Sequence, residues 1–244
     1  MYLLKRKIDV CYLFLAVVYW TCIFLISPLQ ETGFLDDFAY AQSVKQLVFE
    51  HKLFVSDWSS ASLLFQIIYG YLFSLLFGFS FKSLHLSTIT LLFFGISSFY
   101  LTLKFLKFDR TVSLLITLFL LSVPWYLFYG FSFSTDVPFA SLQMIAVYFF
   151  TKGFIKRNNK DFLLSSIFIA SSFLVRQLGI GILIAGVLTL IITAIKEKNI
   201  TIKNFISFLF LPLLLFIAYS VWLSNGNNTV AQLLVSQRIT NNLH

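Results

Sequence analysis

Two adjacent carboxylates, Asp36 and Asp37, stand near the head of the one long polar interval between apolar runs, Gly33 to Trp58. Ionised acids beside a bilayer are costly and commonly mark functional positions. One acid would complement the positive end of a helix dipole. Two in a row repel each other and call for a metal, a cation or a catalytic task. A further acid, Asp136, opens a later apolar run in Ser134-Thr135-Asp136-Val137-Pro138, which also reads as ordinary helix-start grammar, with Ser or Thr as N-cap and Pro in the first turn. Arg176 sits in a very short turn between two apolar runs. Its planar, always-charged fork suits phosphate oxygens; a snorkelling arginine at a helix end is the plainer alternative. Lys52 reads as a lipid-headgroup or phosphate contact rather than a catalytic group. His51 lacks the second His or Cys of a metal-ligand pair, and His85 and His244 stand in no recognisable context.

The elements that position these residues follow from composition. Of 244 residues 59% are hydrophobic and 11% charged, and the mean hydropathy is +0.88, which excludes an ordinary soluble domain. Apolar runs reach helical spanning length, whereas a membrane barrel would show short alternating strands. The expected fold is therefore an all-α polytopic transmembrane bundle. A net charge of +8 comes from short basic clusters between apolar runs, a pattern that sets membrane topology and contacts anionic lipid rather than nucleic acid. Nucleotide-binding loops, dinucleotide glycine patterns, serine-hydrolase elbows and zinc-protease motifs are all missing. Cys11 and Cys22 lie on one face of the first apolar run about 16 Å apart, beyond disulfide reach.

Apolar runs fall at 9–27, 62–79, 85–103, 111–130, 137–151, 162–175, 178–195 and 205–223. If all eight crossed the bilayer with the N-terminus inside, most Lys and Arg would lie outside, against the positive-inside bias. If 62–79 instead lies along the membrane or dips in and returns, thirteen of the 18 Lys and Arg fall inside. The expectation is seven spans, a cytoplasmic N-terminus beginning with Lys5-Arg6-Lys7, a first outer loop over 28–84 and an outer polar tail over 224–244. Asp36, Asp37, Lys52, Asp136 and Arg176 then share the outer face. Within that loop Phe34, Phe38, Ala41, Val44 and Val48 recur at helical spacing, predicting an amphipathic interfacial helix from about Asp36 to Glu50.

The order of features resembles the GT-C superfamily of integral-membrane glycosyltransferases, which contains protein O-mannosyltransferases and bacterial lipid A aminoarabinose transferases. The resemblance rests on the basic N-terminus and first span, Gly33-x-x-Asp36-Asp37-x-x-Tyr40, the amphipathic helix and the aromatic-rich helix after it. It continues through the basic turn Lys104 to Arg110, Thr135-Asp136-x-Pro138, and the basic residue Arg176 before a Gly-containing span. It covers about 1–223. It implies a polyprenyl-phosphate sugar donor, a glycan, lipid or protein acceptor, and a location in the plasma (inner) membrane with the site on the outer face. Asp36 and Asp37 would supply a general base, Asp136 a second acid, and Arg176 with Lys52 the phosphate and lipid-carrier contacts. A divalent metal ion would draw on Asp36, Asp37 and Asp136. Such relatives are usually longer and many carry Pro-Pro-Leu where this chain has Ser59-Ser60-Ala61-Ser62-Leu63. A truncated form, or a subunit binding a lipid carrier beside a partner membrane protein, is the alternative expectation.

Overall fold

The computed structural model describes residues 9–197, 201–226 and 228–234. The basic cluster Lys5-Arg6-Lys7, Lys198, Arg238, His244 and most of the expected polar tail lie outside the described residues. Asp9 has two tasks. Its carboxylate accepts from the backbone N–H groups of Cys11 and Tyr12 and so caps α1 (Val10–Ile26); it also accepts from the Tyr100 hydroxyl at 3.0 Å. Leu15, Tyr19 and Ile23 form the buried stripe of α1, one residue per turn, and Tyr19 donates to the Ile89 carbonyl at 2.6 Å. Cys11 and Cys22 are free thiols.

After a turn at 27–36 the chain enters α2 (Asp37–Glu50), within a residue of the expected start. The expected apolar stripe is only partly the buried one. Tyr40, Ala41 and Val44 face inward, whereas Phe34 and Phe38 are exposed. These two rings pack edge-on against Phe128 and Phe81 instead. The helix is rotated because its first turn must also bury Asp37, which no apolar stripe would include.

Helix α3 (Leu64–Phe77) has 14 residues, about 21 Å at 1.5 Å per residue, against a hydrocarbon core of about 30 Å. Both of its ends pack at the end of the molecule where α2 lies. At its start Leu63 N–H donates to the Val175 carbonyl and Gln66 Nε2 to the Ser134 carbonyl; just past its end, Phe79 meets Phe49 of α2. An apolar cluster of Tyr40, Val44, Leu63, Ile67, Leu84 and Phe133 joins α2 and α3 to the starts of the helices that follow.

Helix α4 (Phe81–Phe105) is the central and most buried element, opened by a reciprocal capping box between Ser80 and Ser83. It runs against α7 (Asp136–Lys156), where a Cβ on Gly95 would fall 2.7 Å from the Ser141 Cβ, so only glycine permits this approach. Helix α5 (Arg110–Leu121) and α6 (Pro124–Gly130) meet at a bend of 69°, set by Pro124 in the first turn of α6. Helix α8 (Asn159–Val175) returns along α7, tied at the tight turn by Lys152 to Asp161 at 2.7 Å. A single 3-10 turn, Gln177–Gly179, leads to α9 (Ile180–Glu197) and α10 (Ile202–Ser224). The described residues contain helices and no strand, and the protein is an all-helical integral membrane protein. Three helical stretches, α4, Gln177–Lys196 and α10, are long and apolar enough to cross a membrane, or four if the bent pair α5–α6 is one span. At 17 residues α1 falls just short.

Contacts between helix ends sort the bundle into two poles. One gathers the turn at 27–36, α2, α3, the starts of α4 and α7, and the ends of α8 and α10. The other gathers Asp9, Tyr100, Phe105, Lys152, Lys156, Asp161 and Asn204.

Candidate functional site

The turn at 33–37 sends its two carboxylates to different places. Leu35 takes a positive φ of 48°, and this sharp turn lets the Phe34 N–H reach back to Asp37 Oδ2 at 2.9 Å. Asp37 is fully buried, and the same oxygen meets His85 Nε2 at 2.8 Å, with the His85 side chain only 3% exposed. Asp36, its neighbour in the chain, is exposed.

Asp36 looks onto Tyr40, one helical turn on, whose hydroxyl donates to Asp36 Oδ2 at 3.4 Å. The Tyr40 phenol is the meeting point of the site. Burial and the Asp36 carboxylate push its pKa up from 10.0 to about 12, with Asp136 adding to the rise and the Thr135 hydroxyl and Arg176 pulling the other way. Three separate segments, at 36–40, 135–136 and 176, therefore converge on one phenol.

The second half of the cluster is built on Arg176, which leaves α8 in extended backbone (φ −143°, ψ 136°). Its Nη1 meets Asp136 Oδ1 at 2.9 Å and its Nε donates to Thr135 Oγ1 at 2.8 Å. Thr135 occupies the N-cap position of α7, yet its side chain makes no capping bond. The helix-start reading of Ser134-Thr135-Asp136 thus has the position right and the use of the hydroxyl wrong, because Thr135 is spent on the guanidinium. The Arg176 side chain is 30% exposed, and these contacts engage two of the five N–H groups of its guanidinium.

Of the residues singled out from the sequence, the structure brings Asp36, Asp136 and Arg176 into one neighbourhood. It turns Asp37 away into the bundle. Lys52 is exposed beyond the far end of α2, about 21 Å along that helix from Asp36, and so joins neither half of the cluster. The expected metal set does not assemble: among the described residues no three His, Cys, Asp or Glu side chains are grouped to hold an ion. Asp37 is committed to His85 and Asp136 to Arg176.

Three participants escaped the sequence reading. Tyr40 entered only as a motif letter, Thr135 as a cap, and His85 as a histidine without context. His85 had one usable signal, since a polar ring at the start of an apolar helix needs a partner once buried.

A family model described as dolichyl-phosphate-mannose-protein mannosyltransferase matches residues 65–224. The match runs from α3 to the end of α10 and takes in His85, Thr135, Asp136 and Arg176; the acid pair and Tyr40 lie before it. No curated protein matches the chain significantly, and no solved structure does. With about two thirds of its length covered by that model and an all-helical apolar bundle beneath it, the chain belongs to the dolichyl-phosphate-mannose-protein mannosyltransferase family, a GT-C family of membrane glycosyltransferases.

Proposed function

We propose that this protein transfers a sugar from a polyprenyl-phosphate donor to an acceptor hydroxyl, with inversion at the sugar carbon. Asp36 takes the proton as the acceptor oxygen bonds to that carbon. The bond from the same carbon to the phosphate oxygen breaks, and polyprenyl phosphate departs as an anion. The observation that supports this reading is the convergence of an exposed carboxylate, Asp36, and a partly exposed arginine, Arg176, on Tyr40. A base and an anion-stabilising cation are the two groups the reaction needs. Asp136 and Thr135 hold the Arg176 fork, and Tyr40, kept neutral by its surroundings, donates to Asp36.

The same reading places seven passes in the membrane, formed by α1, α4, the bent pair α5–α6, α7, α8, α9 and α10, with α2 and α3 lying at the outer face. The basic pole then faces the cytoplasm together with the N-terminus, in accord with the distribution of Lys and Arg, and the cluster faces outward from the plasma (inner) membrane. Acceptors in this reading are glycans, lipids or proteins carrying a free hydroxyl.

The test is transfer of radiolabelled sugar from a polyprenyl-phosphate donor by the protein in lipid nanodiscs. Asp36→Asn should lower the rate by about 10²–10⁴-fold, the usual contribution of a positioned base, with helical content unchanged. Full activity in that variant would end the assignment of Asp36.

A further inference from the structure

The loop at 57–63, between α2 and α3, is held from two sides. Thr229 Oγ1 donates to the Ser59 carbonyl at 2.6 Å, Gln232 Nε2 to the Ala61 carbonyl at 3.2 Å, and the Ala231 N–H to the Asp57 carbonyl at 3.0 Å. From the other side Gln177 Nε2 donates to the Ser60 carbonyl at 3.4 Å. The loop in turn gives the Ser62 hydroxyl to the Phe173 carbonyl and the Leu63 N–H to the Val175 carbonyl. Ser59 and Ser62 are buried, and a buried loop has no ladder of its own to satisfy its backbone groups. The carbonyls of 59, 60 and 61 therefore turn alternately to the chain after α10 and to the chain at the end of α8.

The segment after α10 has the residues this task needs. A helical turn begins at Val230, and a reciprocal capping box opens it: the Gln232 N–H donates to Thr229 Oγ1, and the Thr229 N–H to Gln232 Oε1. The cap uses each side chain as an acceptor and leaves the hydroxyl proton and the amide N–H groups to the loop. Gln232 Nε2 also reaches the Tyr219 hydroxyl at 3.3 Å, which Gln177 Nε2 meets at 3.5 Å. Tyr219 is buried, its ring against Phe173 and Trp222.

Arg176 stands in the middle of these ties. It leaves α8 in extended backbone, and both of its neighbours in the chain are bonded to the loop, Val175 through its carbonyl and Gln177 through its side chain. The course of that backbone aims the fork at Thr135 and Asp136. We infer that the segment at 228–232 is a clasp that sets the direction of Arg176 by gripping the loop at 57–63, with Thr229, Gln232 and Gln177 as positioning residues. Loop and clasp both lie outside the stretch 65–224 that the family model matches, so membership of the family does not supply them. The consequence for donor binding rests on the glycosyltransferase reading; the clasp itself does not.

The experiment pairs amide hydrogen exchange with kinetics on the whole chain in lipid nanodiscs. Gln232→Glu keeps the capping acceptor and loses the donors to Ala61 and Tyr219. Thr229→Val keeps the shape and loses the hydroxyl, whereas Thr229→Ser retains it. In the first two variants exchange should quicken about fivefold to tenfold, the worth of one hydrogen bond, at 174–178 as well as at 57–63; in Thr229→Ser it should keep the wild-type rate. In the same two variants KM for a polyprenyl-phosphate-linked sugar should rise by a similar factor with kcat little changed. A merely structural loss would lower kcat, through loss of folded enzyme, and leave KM alone. The inference is overturned if exchange quickens at 57–63 but not at 174–178, if Thr229→Ser behaves as Thr229→Val does, or if kcat falls while KM holds. Absence of transfer by the wild-type protein would end the glycosyltransferase reading and leave hydrogen exchange to decide the clasp.

Discussion

Asp37 and His85, 48 residues apart in the chain, meet at 2.8 Å with both side chains withdrawn from solvent. The contact pins the turn after α1 to the start of α4. Because Asp36 is the adjacent residue, its direction toward Tyr40 is a consequence of where Asp37 is held. The two acids therefore part company: Asp37 is buried against His85, and Asp36 stays exposed.

Removing one member of this buried pair strands the other. Asp37→Ala, which leaves the buried His85 Nε2 and the Phe34 N–H without their acceptor, should cost about 1–3 kcal/mol of stability or more, whereas Asp36→Asn, at an exposed position, should cost less than about 1 kcal/mol. Thermal unfolding of the two variants in the same detergent measures the difference. Equal midpoints for both would remove the anchoring role from Asp37.

Arg176→Lys keeps the charge and loses the fork. The lysine cannot reproduce both the 2.8 Å contact to Thr135 and the 2.9 Å contact to Asp136 while offering donors outward. Each hydrogen bond involving a charged group is worth about 1.5–3 kcal/mol, so kcat/KM for the polyprenyl-phosphate donor should fall by at least about tenfold. Steady-state kinetics with varied donor decide it, and unaltered kinetics would exclude Arg176 from donor recognition.

The raised Tyr40 pKa makes a signed prediction. With the folded value pushed up to about 12 from 10.0, the native state holds the phenolic proton more tightly than the unfolded chain does. The stability that this contributes is fully present below pH 10 and is lost as pH climbs toward 12, where the unfolded chain has already released its proton. Unfolding midpoints measured from pH 9 to 12 should therefore drop more steeply for wild type than for Tyr40→Phe. Parallel curves would show that Tyr40 is not held neutral by its surroundings.

Helix α3 makes a topological prediction. In a Cys11→Ser, Cys22→Ser background, single cysteines at Ser60 and Lys82, which flank α3 and are exposed, should react with a membrane-impermeant maleimide from the same face. A cysteine at Asp109, in the exposed turn before α5, should react only from the opposite face. Labelling of Ser60 and Lys82 positions from opposite faces would mean that α3 traverses the bilayer. The pairing of Lys82 with Glu31 at 2.9 Å ties the first turn of α4, just after α3, to the turn that carries the acid pair.

Hydropathy and helical period are properties of short windows, so much of this protein is legible in the order of its residues. The all-helical apolar class, the boundaries of α2 and the shared pole of Asp36, Asp136 and Arg176 all follow from local composition and the counting of positive charges. The same local logic misreads Phe34 and Phe38 as inward, because a helical period carries no sign that Asp37 claims the buried face of the first turn of α2. What the tertiary structure alone decided is which polar side chains are spent on each other. Asp37 with His85, and Thr135 and Asp136 with Arg176, are pairings between distant segments; their energy comes from burial and short distance, and neither exists until α4, α7 and α8 are packed. Sequence thus indicated which residues gather at this end of the bundle, and packing determined that Asp36 stays exposed there while Asp37 is buried and Arg176 is partly covered.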